Sequence, residues 1–249
     1  MDIPKLIFIV PYRDREQHQL FFSKHMKTIL EDLDSNEYKI YYIHQCDSRL
    51  FNRGAMKNIG FLIIKQLFPN NYRDITIVFN DVDTMPYTKN FLNYNTIAGN
   101  VKHFYGYDYT LGGIVSINGG DFEKIMGFPN LWNWGFEDNI LQERVISNGL
   151  TIDRTNFYPI MDKNILQLND GVIRIINRDE HKLYVNKTAD TYNEITSLQY
   201  EINEQTGFID VTSFETIHKP TNNNINHNIQ TDGNQINFGR KSPKIKMMF

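Results

Sequence analysis

The sequence predicts an α/β protein built on an open, mainly parallel sheet flanked by helices. Three observations carry this. Short, fully apolar runs at 6–11 and 75–79 read as buried parallel strands. Segments with helical apolar spacing separate them. The order strand, helix, strand, helix, strand fills the first 80 residues.

Residues 6–11 (LIFIVP) are continuous and apolar, and a proline closes the run. Residues 15–33 place Leu20, Phe21, Met26, Ile29, Leu30 and Leu33 at helical spacing. Residues 38–44 (YKIYYIH) are short and rich in strand formers. The next helix spans 52–67, with Asn52 as its cap and Ile59, Phe61, Leu62, Ile63 and Leu67 as its apolar face. Residues 75–79 (ITIVF) form the clearest buried strand and run straight into Asn80-Asp81-Val82-Asp83. A strand over 111–117, a short helix from Asp121, a loop rich in Pro, Trp and Gly, and a helix over 137–147 follow. Mixed short strands fill 151–215. From residue 220 the chain turns Asn-rich and loses apolar periodicity, so 1–219 is expected to be one domain and 220–249 a mobile tail with a basic end.

Composition narrows the function. Of 249 residues, 41% are apolar, enough for a substantial core, and the formal net charge is -3. A polyanion binder carries a basic surplus, so nucleic acid is not the expected partner. The single cysteine, Cys46, excludes an intramolecular disulfide framework and a cysteine-rich zinc site. No apolar run approaches the roughly 20 residues that a bilayer requires. The start lacks a basic region followed by a long apolar one, so no signal peptide is expected.

Four segments carry chemistry. Asp81 and Asp83 alternate after a strand, so both carboxylates can face one point and hold Mn²⁺ or Mg²⁺ with phosphate oxygens; an ordinary solvated turn is the competing reading. Tyr12, Arg13 and Arg15 follow the first strand, where ligands bind in such sheets. The arginines suit phosphate and the tyrosine suits a base, unless Arg13 and Arg15 merely pair with Asp14. Phe51 and Arg53 flank a helix start, which favours anions but is equally an ordinary capped terminus. Trp132 and Trp134 sit beside Glu137 and Asp138. Indole faces stack on sugar rings and a carboxylate takes a hydroxyl proton; a buried aromatic loop is the alternative.

Together these segments resemble the β-1,4-galactosyltransferase family of inverting, metal-assisted enzymes. FIVPYRDR is similar to the family's nucleotide-binding opening, FNRGAMKNIGF to its FNR segment and FNDVDTMP to its DVD strand end. YTLGGIVSINGGDFEKIMGFPN is similar to its FGG stretch and WNWGFEDNIL to its WGWGxEDDD motif. Order and spacing agree over about residues 6–150. ITSLQYEI extends the resemblance to the family's closing strand.

The resemblance implies a GT-A-like sheet with the nucleotide-sugar site at the carboxyl edge of its strands. It implies transfer of galactose or N-acetylgalactosamine from UDP-galactose or UDP-GalNAc to a hydroxyl of a sugar acceptor. Pro11, Tyr12, Arg13 and Arg15 would contact the UDP, and Phe51 and Arg53 the base and phosphate. Asp81 would bind the donor's sugar or ribose, and Gly112 and Gly113 would lie along it. Asp83 would ligate the metal. Trp134 would sit in a mobile loop, Glu137 would bind acceptor hydroxyls and Asp138 would be the base.

Departures are equally specific. Asn133 replaces a glycine and Asn139 an acid. An isoleucine stands where the family has its metal histidine, which leaves His181 as the nearby candidate ligand. Thr110 replaces a larger residue, which opens room for an N-acetyl group. The absence of the Golgi anchor and disulfides of cellular relatives implies a viral or bacterial member acting in the cytoplasm. Two other readings remain at this level: a non-catalytic carbohydrate-binding protein on the same scaffold, and a metal-dependent nucleotidyltransferase or phosphohydrolase.

Overall fold

A computed structural model of the chain describes residues 3–232. β1 (Leu6–Tyr12) is buried along its whole length. It leads into α1 (Glu16–Ile29), β2 (Tyr38–Gln45), α2 (Arg53–Leu67) and β3 (Thr76–Asn80). α2 begins where the Asn52 side chain accepts a hydrogen bond from the Ala55 amide, satisfying one of the free helix N–H groups. α1 is shorter than its apolar spacing implies. It buries Phe22, Met26 and Ile29, while Leu20, Phe21 and Leu33 stay exposed. The spacing counted side chains that the sheet never covers.

The chain continues through β4 (Thr84–Pro86), β5 (Asn100–Gly106), β6 (Ile114–Asn118), α3 (Gly119–Lys124) and α4 (Glu137–Ser147). Then come β7 (Thr151–Asp153), β8 (Tyr158–Pro159), β9 (Ile165–Gln167), β10 (Ile173–Asn177) and α5 (Arg178–Val185). β11 (Thr196–Asn203), β12 (Phe208–Glu215) and β13 (Asn224–Asn228) complete it. No helix among the described residues is long and apolar enough to cross a membrane.

The main sheet runs β11-β12-β2-β1-β3-β6-β5-β7, with β8 alongside β5. β12, β2, β1 and β3 are mutually parallel, whereas β6 is antiparallel to both β3 and β5. The sheet is therefore mixed around its parallel centre. The reason is connection length: residues 107–113 are too few for the crossover that a parallel β5–β6 pair needs.

β1 explains its own unbroken apolar run. Ile7 and Ile9 join the core on one face, with Ile59, Phe61 and Ile63 of α2. Leu6, Phe8 and Val10 join the other, with Phe22 and Met26 of α1. Both faces are covered, so no alternation survives in the sequence.

The Asn-rich segment departs from expectation. β13 pairs antiparallel with β10, and Asn177 donates its side-chain amide to the Thr221 hydroxyl and the Asn224 side chain. Residues 224–228 are thus a strand held by amide hydrogen bonds, which leave no apolar period to read. The remainder of the expected tail, 233–249, lies outside the described residues.

Candidate functional site

The site forms at the carboxyl edge of the parallel strands. β3 ends at Asn80, which is wholly buried. Its side-chain amide donates to the carbonyls of Asp81 and Thr84, each at 2.8 Å, and so shapes the Asp81-Val82-Asp83 turn. Two backbone bonds tie the turn to its neighbours: Asp81 N–H to the Gly113 carbonyl, and Leu168 N–H to the Asp83 carbonyl.

Asp83 is half-buried. Burial, with the charges of Asp81 and Asp170, pushes its carboxyl up to about 7 against the opposing pull of Arg15 and Arg53. Among the described residues no cationic side chain forms an ion pair with it. A turn of hard oxygen donors with surplus negative charge fits a divalent cation such as Mn²⁺ or Mg²⁺.

Arg53, at the first position of α2, joins this turn to the acids of α4. Its Nη2 lies 2.7 Å from Asp81 Oδ1, and its Nη1 lies 2.9 Å from both Glu137 Oε1 and Asp138 Oδ1. Burial lowers the guanidinium's affinity for its proton, but Asp138, Asp81 and Glu137 outweigh it and raise it well above the ordinary value. Lys57, one turn along α2 and buried, approaches Asp138 Oδ1 at 3.5 Å. Burial and Arg53 push the Lys57 ammonium down.

The two acids of α4 are driven apart. Burial alone would raise Asp138, yet Arg53 and Lys57 bring it below the ordinary carboxylate range. Burial and Asp138 raise Glu137, whose Oε2 has no hydrogen-bond partner among the described residues. Asp138 is thus favoured as the ionised member of the pair, as a proton acceptor must be. Asp138 also sits in the first turn of α4, where the helix dipole favours negative charge.

Gly112 brings backbone against the proposed base: a Cβ there would stand 2.3 Å from Asp138 Oδ2. Gly113 turns the chain at φ +72, and a Cβ there would meet the Tyr105 carbonyl. Leu111 N–H donates to the Asp138 carbonyl, so this stretch is stitched to the start of α4.

The other expected residues divide. The Arg13 guanidinium lies over the Phe51 ring at 5.3 Å and donates to the Arg49 carbonyl. Arg15 pairs with Asp170 at 2.9 Å, beside the Asp83 turn. Pro11 is buried within β1. Tyr12 is 8% exposed and packed against His44 and Phe208, so its ring belongs to the wall. Trp132 is fully buried on Phe214, its Nε1 donating to the His218 carbonyl, and is core. Trp134 is exposed, with its ring against His227 of β13.

Phe136, just before α4, holds a left-handed backbone at φ 71, a strained conformation for a bulky residue. The rings of His181 and Tyr184 on α5 lie against it. Among the described residues, His181 joins no group of three metal-ligating side chains converging on one point, and neither do Asp81, Asp83 and Asp170. Sequence reasoning missed Lys57, Asp170 and Glu180. Glu180 accepts the Trp132 N–H at 2.5 Å, and burial pushes it up to about 7. Lys57 falls four residues after Arg53, and that spacing on one helix face was the available signal.

Comparison with known proteins gives these features a class. Residues 3–95 match the family model for the N-terminal region of glycosyl transferase group 7. Residues 93–165 match the model described as the N-terminal domain of galactosyltransferase. The catalytic domain of Drosophila β1,4-galactosyltransferase 7, crystallised with xylobiose, superposes with a TM-score of 0.65 at 21% identity, covering 87% of this chain and 96% of that one. A mutant of that enzyme in complex with manganese, UDP-Gal and xylobiose gives 0.64. The fold is thus that of the GT-A glycosyltransferases.

Beta-1,4-galactosyltransferase 4 of Cricetulus griseus is 31% identical over 165 residues, 62% of this chain and 46% of that protein. Human beta-1,4-galactosyltransferase 6 is 32% identical over 185 residues, 70% of this chain and 47% of that protein. This chain belongs to the β-1,4-galactosyltransferase family, glycosyl transferase group 7. It spans about half the length of the curated relatives it matches.

Proposed function

We propose that the chain is an inverting glycosyltransferase that moves galactose or N-acetylgalactosamine from a UDP-sugar to a hydroxyl of a sugar acceptor. The carrying observation is Arg53, whose guanidinium touches Asp81 at the donor end and Asp138 at the acceptor end. Both acids meet on one guanidinium, the proximity that a single displacement requires. The neighbouring complex with manganese, UDP-Gal and xylobiose supports a UDP-sugar donor, a Mn²⁺ cofactor and a sugar acceptor.

Asp83 is the residue of this turn that would hold Mn²⁺, which when bound would neutralise charge on the departing diphosphate, and Asp81 would lie against the donor's sugar or ribose. Arg13 and Phe51 offer a stacked cation and aromatic face for the nucleoside end. Gly112 and Gly113 let the donor sugar lie against backbone. Asp138 accepts the proton of the attacking hydroxyl as that oxygen reaches the anomeric carbon from the face opposite the diphosphate. Glu137, paired with Arg53 through Oε1, can bind an acceptor hydroxyl through its carboxyl group. Thr110 is a small side chain at the donor edge, and its carbonyl is fixed by Arg154. That supports UDP-GalNAc as a donor equal to UDP-Gal.

The test is UDP release with UDP-Gal and UDP-GalNAc against monosaccharide and disaccharide acceptors, with and without Mn²⁺. Acceptor-dependent UDP release is expected, and Asp138→Asn should bind UDP normally while losing about 10²–10⁴-fold in turnover. Near-normal transfer by Asp138→Asn would remove Asp138 as the base. Release of inorganic phosphate in place of UDP would remove the transferase reading.

A further inference from the structure

The geometry points to a second cation site, for zinc, formed by His44, Cys46 and Asp210 and separate from the Asp81/Asp83 turn. His44 lies on β2, and Cys46 follows just past the strand's end, its sulfur 3.5 Å from His44 Nδ1. β12 pairs with β2 in parallel, and the register sets Asp210 directly beside His44. Cys46 N–H donates to the Val211 carbonyl, so the pairing continues past the thiol. Three potential ligands are thus fixed by strand geometry, with their ligand atoms all within 4.8 Å of one another.

The detail that favours a metal is which atoms meet. Asp210 Oδ1 lies 2.8 Å from His44 Nδ1, and Cys46 Sγ lies 3.5 Å from that same nitrogen. A nucleophilic relay needs the thiol and the acid on opposite ring nitrogens. Here both face Nδ1, so the ring relays nothing between them. A cation at that point accepts a lone pair from all three. Tetrahedral zinc ligands lie about 3.4–3.6 Å apart, so the sulfur already stands at the right separation. The half-exposed Asp210 carboxylate has to open by about half an ångström to reach it.

The donor set is imidazole, thiolate and carboxylate, which suits zinc and discriminates against the hard cations expected at Asp83. The fourth position faces an open cavity of about 390 Å³ that Arg13, Gln45 and Ser48 also line. Zinc there would keep an exchangeable ligand, beside the Arg13 end of the cleft. The assignment does not depend on the transferase reading.

The experiment uses the full, untagged chain under a non-thiol reductant, stripped with a chelator and titrated with Co²⁺ as a spectroscopic stand-in for zinc. One equivalent of Co²⁺ should produce a thiolate-to-metal charge-transfer band and tetrahedral visible bands, both removed by one equivalent of Zn²⁺. Cys46→Ser, at an exposed position, should abolish the charge-transfer band with an unchanged circular dichroism spectrum. Asp210→Asn should weaken Zn²⁺ binding at least tenfold, and Asp83→Asn should leave it unaltered. Absence of the charge-transfer band in the wild-type chain would overturn the assignment. So would equal Zn²⁺ affinity in the wild-type, His44→Ala and Cys46→Ser proteins.

Discussion

At the scale of single residues, the site works by contrast between neighbours. Glu137 and Asp138 are adjacent, yet Asp138 receives both Arg53 and Lys57 while Glu137 receives Arg53 alone and, among the described residues, keeps one oxygen without a partner. Gly112 is what allows Asp138 its place. A methyl group there would overlap the carboxylate, which must rotate or shift by about an ångström to escape. Displacements of that size cost on the order of 10²-fold in rate when the group is catalytic. Gly112→Ala is therefore expected to lower kcat by about that factor, with Kd for UDP within threefold of wild type. Steady-state kinetics beside UDP calorimetry check it, and an unchanged kcat would show that Asp138 has slack.

At the scale of elements, much of the arrangement was legible in the sequence. β1, β2, α2, β3 and α4 lie where the apolar runs, the Asn52 cap and the helix expected over 137–147 place them, and the motif residues fall at the ends of those elements. Other parts were not legible, for physical reasons. β13 is stabilised by amide hydrogen bonds, so it leaves no period. Trp132 and Trp134 look alike in sequence, but one stacks on Phe214 in the core and the other reaches the surface. Asp170 meets the Asp83 turn only through tertiary structure, 155 positions from its partner Arg15.

β5 supplies an element-scale prediction through His103, whose Nε2 faces the carbonyls of Tyr105 and Gly112 while Nδ1 accepts from Arg154 Nε. Burial, then Arg154, pushes this imidazole down to about 4. The folded chain therefore holds it neutral, and the unfolded chain takes up the proton first as pH falls below about 6.5. The unfolded state binds more protons in that window, so the stability is present above it and lost as pH falls toward 4. The loss from this group is about 3 kcal/mol, at 1.36 kcal/mol per unit. Urea unfolding of the wild type and His103→Gln between pH 7 and pH 4 checks it: the two curves should converge at low pH.

At the scale of the whole molecule, the parallel centre of the sheet is a rigid frame, and its carboxyl edge gathers charge that the frame alone does not neutralise. Among the described residues Asp83 faces Asp81 and Asp170 without an ion pair of its own. A ligand-free protein that keeps such a turn is less stable than its core permits, because like charges at short range repel and burial adds a desolvation cost. Bound cation and diphosphate would relieve that repulsion and stabilise the fold by mass action. Asp83→Asn removes one of the mutually repelling charges while keeping nearly the same shape. The variant is expected to melt a few degrees higher than the wild type without ligand, a shift on the order of 1 kcal/mol. It should also lose the added stabilisation that UDP gives in the presence of Mn²⁺. Thermal unfolding of both proteins with neither, either or both ligands decides the matter. A lower Tm for the ligand-free variant would mean that Asp83 supports the fold, and an intact Mn²⁺-dependent shift would mean that the cation binds elsewhere.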